Sequence, residues 1–351
     1  MSPAAIFGER SIVHRVPAWH KIGIVFDDPI STMEAISRAK LDYHVGVLPL
    51  FYEYEDDMQD SGQKAIVREP TEDDPTPRFF GTVSDRYRII QNDAIARAVA
   101  PLTDRWDVES AGALGFGESF FISFLAGTDL VANEEIKNYF LLVDDKTGTH
   151  ALRLLFTPVR VVCQNTLAQA TKSAIPIKLR HTESLAPELD DYVNVLNRAD
   201  ATSEELIKVF NQLASTEVSE ESVLRLLEKV YPTPQPSSRL KPYMTIGNDG
   251  DYLINLPQMI PDAVRTAASQ WQVTRERIKA DRGNVYMLYD KISEENPIIG
   301  DTAWAAFNAV AEYEDHLRTR TGPNSGLSEL FGDRAKAKAR AFTEVSQMLV
   351  S

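Results

Sequence analysis

Cysteine occurs once among the 351 residues, at Cys163. A lone cysteine excludes a disulfide within the chain and gives no sign of an oxidising compartment. No apolar run approaches the roughly 18 residues that a membrane-spanning helix needs. The opening MSPAAIFGERSIVHRVPAWH lacks the basic end and apolar run of a secretory leader. Together these absences predict a soluble, cytoplasmic protein with no membrane partner. Positive charge is also scarce. Lys and Arg number 37 against 51 Asp and Glu, for a formal net charge of -14. That balance argues against a general binder of nucleic acid or membrane surfaces. It leaves room for a local basic groove, because screening over roughly 8 Å makes nearby charge count most.

One further absence is local. From Lys146 to Thr182 there is no Asp and no Glu, although the same window holds Lys146, Arg153, Arg160, Lys172, Lys178 and Arg180, with His150 and His181. A groove lined this way attracts phosphates. The ordinary explanation is that buried strands avoid carboxylates. Lys and Arg are costly to bury too, yet six remain.

Hydrophobic residues make up 43% of the chain, enough for a substantial core. The first half alternates strand-like and helix-like stretches. Ile30–Leu41 reads as a helix capped by Ser31 or Thr32. YHVGVLPLFYEYEDD reads as a strand, and MQDSGQKAIVREPTEDDPTP after it as a hairpin with a long exposed loop. Asn92 is placed as N-cap of the helix DAIARAVAPL. WDVESAGALGFGESFFISFLAG reads as two strands around a glycine turn. KNYFLLVDDKTGTHALRLLFTPVRVV reads as a hairpin turning at DDKTGT, and helix is expected to resume at Gln164. Past Glu183 the apolar spacing becomes helical, with segments at Leu185–Leu196, Ser203–Ala214, Ser219–Tyr231, Pro261–Asp281, Thr302–Arg320 and Asp333–Leu349. The expected fold is α+β. A largely antiparallel sheet with helices fills residues 1–185, and a mainly helical part spans 186–351, with a proline-rich linker near 231–243.

Candidate sites follow from these placements. SDRYRIIQND offers Arg86, Tyr87 and Arg88, a set that can hold a phosphate and stack a base; structural pairing is the alternative. In VCQNTL, Cys163 as nucleophile would need His150 or His181 as its base, whereas a buried, inert thiol is the simpler reading. Gln164 and Asn165 read as caps or polar ligand contacts. Trp19 and His20 in PAWHKIG read as a core plug or a stacking platform. GFGE lacks the Lys-Ser/Thr of a phosphate-binding loop. EYEDH, Glu312–His316, reads as a solvated helix face, and Arg334, Lys336, Lys338 and Arg340 as surface charge. No pattern predicts a metal site, a cofactor or a catalytic residue.

The motifs PAWHKIG, RYRIIQND, RVVCQNTLAQA with RHT, GDTAWAAFNAVAEYEDH and LFGDRAKAKARA occur in an order that resembles the phage/plasmid-like protein family, also known as the domain-of-unknown-function 932 family. The resemblance runs from about Pro17 to Met348. It implies an origin in a bacteriophage, prophage or plasmid and brings no established activity. The hairpin-and-helix order also resembles the layout of Rad52-like single-strand annealing proteins, an analogy of layout alone. The leading expectation is therefore a non-enzymatic protein that binds single-stranded nucleic acid in recombination or replication. Arg86, Tyr87, Arg88, Arg153, Arg160, Gln164, Asn165, Lys172, Lys178, Arg180 and His181 would form its anion-binding set. A homo-oligomer is compatible with this. The alternatives are an enzyme acting on a small anionic or nucleotide-like substrate, and a protein that binds a host factor through its acidic surface.

Overall fold

The computed structural model describes residues 11–14, 24–160, 165–166, 177–179, 204–247, 252–318 and 332–349. The chain divides into two compact units. The first holds residues 1–212 and 319–339, the second 213–318 and 340–351.

The first unit is built on an eight-stranded sheet. Its strands are β1 (Ser11–His14), β2 (Ile24–Phe26), β6 (Asp107–Leu114), β7 (Ser119–Val131), β8 (Glu134–Asp145), β9 (Leu152–Arg160), β10 (Asn165–Thr166) and β11 (Ile177–Leu179). The order is β10-β9-β8-β7-β6-β1-β2, and β11 also pairs with β9. Every pairing is antiparallel except β1 with β2. The expected α+β architecture with a largely antiparallel sheet is what the chain adopts. Alternation along β7 puts Phe120, Ile122 and Phe124 on one face, beside Leu142 and Phe140 of β8. All five are buried. The other face is mixed, with Ser119, Ser123 and Phe121, and Ser123 Oγ lies 2.6 Å from Ser110 Oγ.

Two short helices pack in this unit. The first, α1 (Thr32–Arg38), starts where Ser31 Oγ accepts from the Glu34 amide at 3.1 Å. It lies against β1 and β6. Thr32 Oγ1 donates to the Ala96 carbonyl of α2 (Asn92–Ala98) at 2.8 Å. The N-cap of α2 is Gln91 and not Asn92. Asn92 instead donates from Nδ2 to the Leu41 carbonyl (2.8 Å), and Gln91 bonds both the amide and the carbonyl of Val45. Gln91 Oε1 is taken by the Val45 amide and Asn92 turns its amide nitrogen to Leu41, and neither side chain caps the helix.

A second, three-stranded sheet has the order β3-β4-β5, from Val45–Tyr54, Asp57–Arg68 and Arg78–Val83. This overturns the expectation of a long loop after β3: DMQDSGQKAIVR is a strand. Its outer half is polar because both of its faces are open to solvent, so it never acquires the alternation that marks a half-buried strand. Asn165–Thr166 is likewise strand and not helix, paired antiparallel to β9. The rest of the helix expected at Gln164, and the segment Leu185–Leu196, lie outside the described residues.

The second unit is mainly helical, as expected. A helix over 204–214 leads into it. It contains α4 (Glu220–Val230), capped by Ser219; α5 (Asp262–Glu295); and α6 (Ala303–Glu312), capped by Thr302. Trp304, Phe307, Val310 and Ala311 are buried as the apolar pattern requires, but Leu317 is exposed. A last helix, α7 (Asp333–Gln347), runs from one unit into the other. On it Arg334 and Lys338 are buried, correcting the reading of this run as surface charge. Among the described residues no helix is long and apolar enough to cross a membrane.

The two-residue turn between β7 and β8 places Ala132 at φ 47° and Asn133 at φ 67°. This left-handed region suits hairpin twist but crowds an alanine Cβ. Ala132→Gly is expected to stabilise the first unit by about 1 kcal/mol, read as a higher guanidinium midpoint. A lower midpoint would contradict the turn geometry.

Candidate functional site

The β8–β9 turn, DDKTGTH, is where the chemistry-bearing residues gather. Asp144 and Lys146 form an ion pair with both side chains 0% exposed. The Lys146 ammonium also donates to the Ile90 carbonyl and stands 5.4 Å above the Phe120 ring. A lysine buried this way keeps its charge only because a carboxylate and a carbonyl replace water. Asp145, also buried, accepts from the donors of its own turn. These are the Thr147 amide (3.0 Å) and hydroxyl (2.9 Å), the Thr149 hydroxyl (2.8 Å), and His150 at its amide (3.1 Å) and Nδ1 (2.8 Å). The carboxylate therefore fixes the orientation of the His150 ring. The ring remains 33% exposed.

The small sheet is pressed onto this turn. A Cβ on Gly81 would lie 2.7 Å from the Thr147 carbonyl oxygen, and one on Gly148 would lie 2.5 Å from Val83 Cγ1. Only glycine permits these approaches. The chain leaving β5 then crosses the turn as residues 84–91. Tyr87 donates its amide to Ser84 (3.1 Å), and its hydroxyl is buried beside Asp144 and Asp145. Burial, reinforced by those two carboxylates, holds the phenol well above the usual tyrosine range. Arg86 and Arg88, on either side, are exposed. Arg88 folds back to donate to the carbonyls of Asp85 (2.7 Å) and Tyr87 (3.2 Å). Asp85, the acid of this segment, is held by Lys64 at 3.0 Å.

Arg153 enters from β9. Burial lowers its pKa from the ordinary guanidinium value, an effect that the nearby Asp145 charge only partly offsets. The RYR motif and the first arginine of β9 are thus brought to one neighbourhood, around Asp145. Arg160 is not there. It stands seven positions along a strand of unbroken register, so the two positions fall on opposite faces, about 23 Å apart. Arg160 is the Cα partner of Asn165, and Arg153 of Lys178. Gln164, Lys172, Arg180 and His181 lie outside the described residues, as do Cys163, Trp19 and His20.

A second polar cluster lies in the helical unit. The backbone after α6 widens into a π-helical turn, Tyr313–Leu317, closed by the Arg318 amide on the Tyr313 carbonyl at 2.8 Å. Glu314, 0% exposed, accepts from Tyr231 (2.9 Å) and from Arg318 at both oxygens (2.9 Å each). Tyr313 donates to Asp281 at 2.5 Å. EYEDH is therefore not a solvated face at Glu314 and Asp315, both of which are buried. The signal was available in the sequence: nine residues of α6 preceding it are apolar on nearly every side, which marks a buried helix.

Residues 79–343, well over half of the chain, match the family described as Domain of unknown function (DUF932). The chain belongs to the DUF932 family. Four of the five motifs that carry the resemblance fall within the matched segment, and PAWHKIG precedes it. No curated protein and no solved structure matches the chain. What sequence reasoning missed within the family segment is the Asp144–Asp145 pair, which borders the acid-free window and neutralises its first cations.

Two outcomes follow. Lys146→Met leaves Asp144 buried without its cation and is expected to cost about 3–5 kcal/mol, most of it recovered in Asp144→Leu/Lys146→Met. Urea unfolding of both variants measures this, and a loss below about 1 kcal/mol in the single variant would show that the pair is not ionised inside. The second concerns alkali. Burial raises the phenols of Tyr87, Tyr139 and Tyr231 above their ordinary value of 10.0, and those of Tyr289 and Tyr313 to about 12. The fold favours the neutral phenol, so this contribution is present below pH 10 and is lost as pH rises through the folded values. The melting temperature should fall above that pH, and the phenolate absorbance of these five tyrosines should appear only as the protein unfolds.

Proposed function

We propose that this protein binds single-stranded nucleic acid, without catalysing a reaction on it, at the Arg153 end of the large sheet. As a DUF932 member it would serve a phage or plasmid as an accessory of recombination or replication in the bacterial cytoplasm. The observation that carries the reading is the exposure of Arg86 and Arg88 beside a turn whose own carboxylates are buried. The register of β9 with β11 brings the Arg153 and Lys178 positions together as Cα partners at this end of the sheet. The turn beside them offers no open carboxylate, since Asp144 and Asp145 are both buried. Arg86 and Arg88 border the same turn and would extend the phosphate path. Tyr87, its hydroxyl buried, would position these arginines, and exposed Phe79 on β5 would supply a face for base stacking. Arg160 and Asn165, at the far end of β9, would lie beyond this contact surface.

The reading is tested by fluorescence anisotropy with a labelled single-stranded oligonucleotide over a salt series. Arg86→Ala/Arg88→Ala is expected to weaken binding and to flatten the slope of log K against log salt by about 0.7 per lost phosphate contact. Its melting temperature should stay unchanged, because both side chains are exposed. Absence of binding by the wild type at low salt, or an unaltered slope in the variant, would remove the proposal. One observation favours a second reading, an enzyme acting on a small anionic substrate: the Asp145–His150 contact supplies an oriented imidazole able to take a proton. On that reading His150→Gln would abolish a turnover while leaving oligonucleotide affinity intact.

A further inference from the structure

The β3–β4 hairpin extends past the sheet that supports it. β5 pairs with β4 only over Lys64–Arg68. Beyond that, Phe51–Tyr54 and Asp57–Asp60 form a two-stranded ribbon whose residues are all exposed. Neither edge of this ribbon carries a further strand among the described residues. Register sorts its side chains. Tyr52 and Tyr54, 54% and 61% exposed, share a face with Gln59 and Asp57. Phe51 and Met58, 49% and 65% exposed, share the other face with Asp60 and Glu53. Four large apolar side chains thus stand in water on both sides of an element that has no core of its own. A ribbon of this kind is marginal when alone, and exposed aromatics that cluster are the usual anchors of an interface.

The charge on the arm selects the partner. Residues 51–60 hold Glu53, Glu55, Asp56, Asp57 and Asp60, and no Lys or Arg occurs between Lys40 and Lys64. Glu55 and Asp56 also occupy the two turn positions at φ 50° and 65°, where Asn-Gly is the unstrained choice. Glu55 therefore stands at the tip of the arm despite a backbone that disfavours it. Nucleic acid and acidic membranes are repelled by such a surface. A second copy of this chain, at net charge -14, is repelled at long range. We propose that the Phe51–Asp60 arm is a docking element for another protein, whose binding surface is a cationic, apolar-lined groove. Carboxylates on the arm would steer the encounter. Tyr52, Tyr54, Phe51 and Met58 would fill the groove. This surface is separate from the Arg153 end of the large sheet, and the two proposals stand or fall independently.

The probe is a labelled amphipathic lysine–leucine peptide, compared with a lysine–glycine peptide of equal charge, by fluorescence anisotropy on the full chain. Wild type is expected to bind the lysine–leucine peptide about tenfold more tightly than its glycine counterpart, and more weakly as salt rises. Tyr52→Ser/Tyr54→Ser and, separately, Glu53→Gln/Asp60→Asn should each lose about tenfold in affinity with an unchanged melting temperature. The second pair keeps the apolar surface and serves if the first misfolds. Equal binding of both peptides, or equal binding by wild type and both variants, overturns the proposal. Sedimentation gives a further check. A wild-type dimer that becomes monomeric in the variants would assign the arm to self-association and overturn the cationic partner. Oligonucleotide affinity that falls in the arm variants would do the same in favour of nucleic acid.

Discussion

The contact between Lys146 and Asp144, sealed by the Ile90 carbonyl, is the constraint on which the first unit depends. It joins two pieces of chain that are distant in sequence: the end of β8 with the turn that follows it, and the segment entering α2. The pair has no access to water, so it holds only while each charge faces the other. That requirement fixes where residues 84–91 cross the large sheet. It also places Tyr87 over the paired carboxylates and leaves Arg86 and Arg88 at the surface. Gly81 and Gly148 admit the close approach of backbone to backbone and side chain that the crossing demands.

The same turn explains how an acidic protein can present a cationic surface. Two carboxylates sit at the border of the acid-free window, but neither faces solvent. One is matched by a lysine, and the other is saturated by hydroxyls, amides and an imidazole from its own loop. Their charge is met inside, while Arg86 and Arg88 stay exposed. A net charge of -14 then matters little within a Debye length of Arg86 and Arg88. It matters more at the hairpin arm, where five acids stand together without a compensating base.

The helical unit uses buried charge in a different way. Glu314, Arg318, Tyr231, Asp281 and Tyr313 satisfy one another across a π-helical turn. Arg318 bridges two carboxylates, at 2.9 Å from Glu314 and 3.7 Å from Asp281. A buried network of this sort favours one arrangement of the helices, because a slip would part charges from their counterparts.

Local chemistry made much of the fold legible. Ser31, Ser219 and Thr302 cap helices because a short hydroxyl side chain reaches the orphan amides of a first turn. The central strands of the large sheet, β6 to β9, were readable because alternation and β-branching need no tertiary context. By itself the sequence determined the α+β class, the hairpin at DDKTGT, the described helices of the second half, and the DUF932 motifs in their order. It did not show that MQDSGQKAIVR is a strand, since a ribbon open on both faces never develops an apolar side. Nor did it show that Arg334 and Lys338 are buried, because burial of a charge depends on partners brought from elsewhere in the chain. The candidate surface was half visible. RYR and Arg153 could be named from residue type alone, but only the tertiary structure put both beside Asp145. Strand parity then separated Arg153 from Arg160, since seven residues on one regular strand carry a side chain from one face to the other.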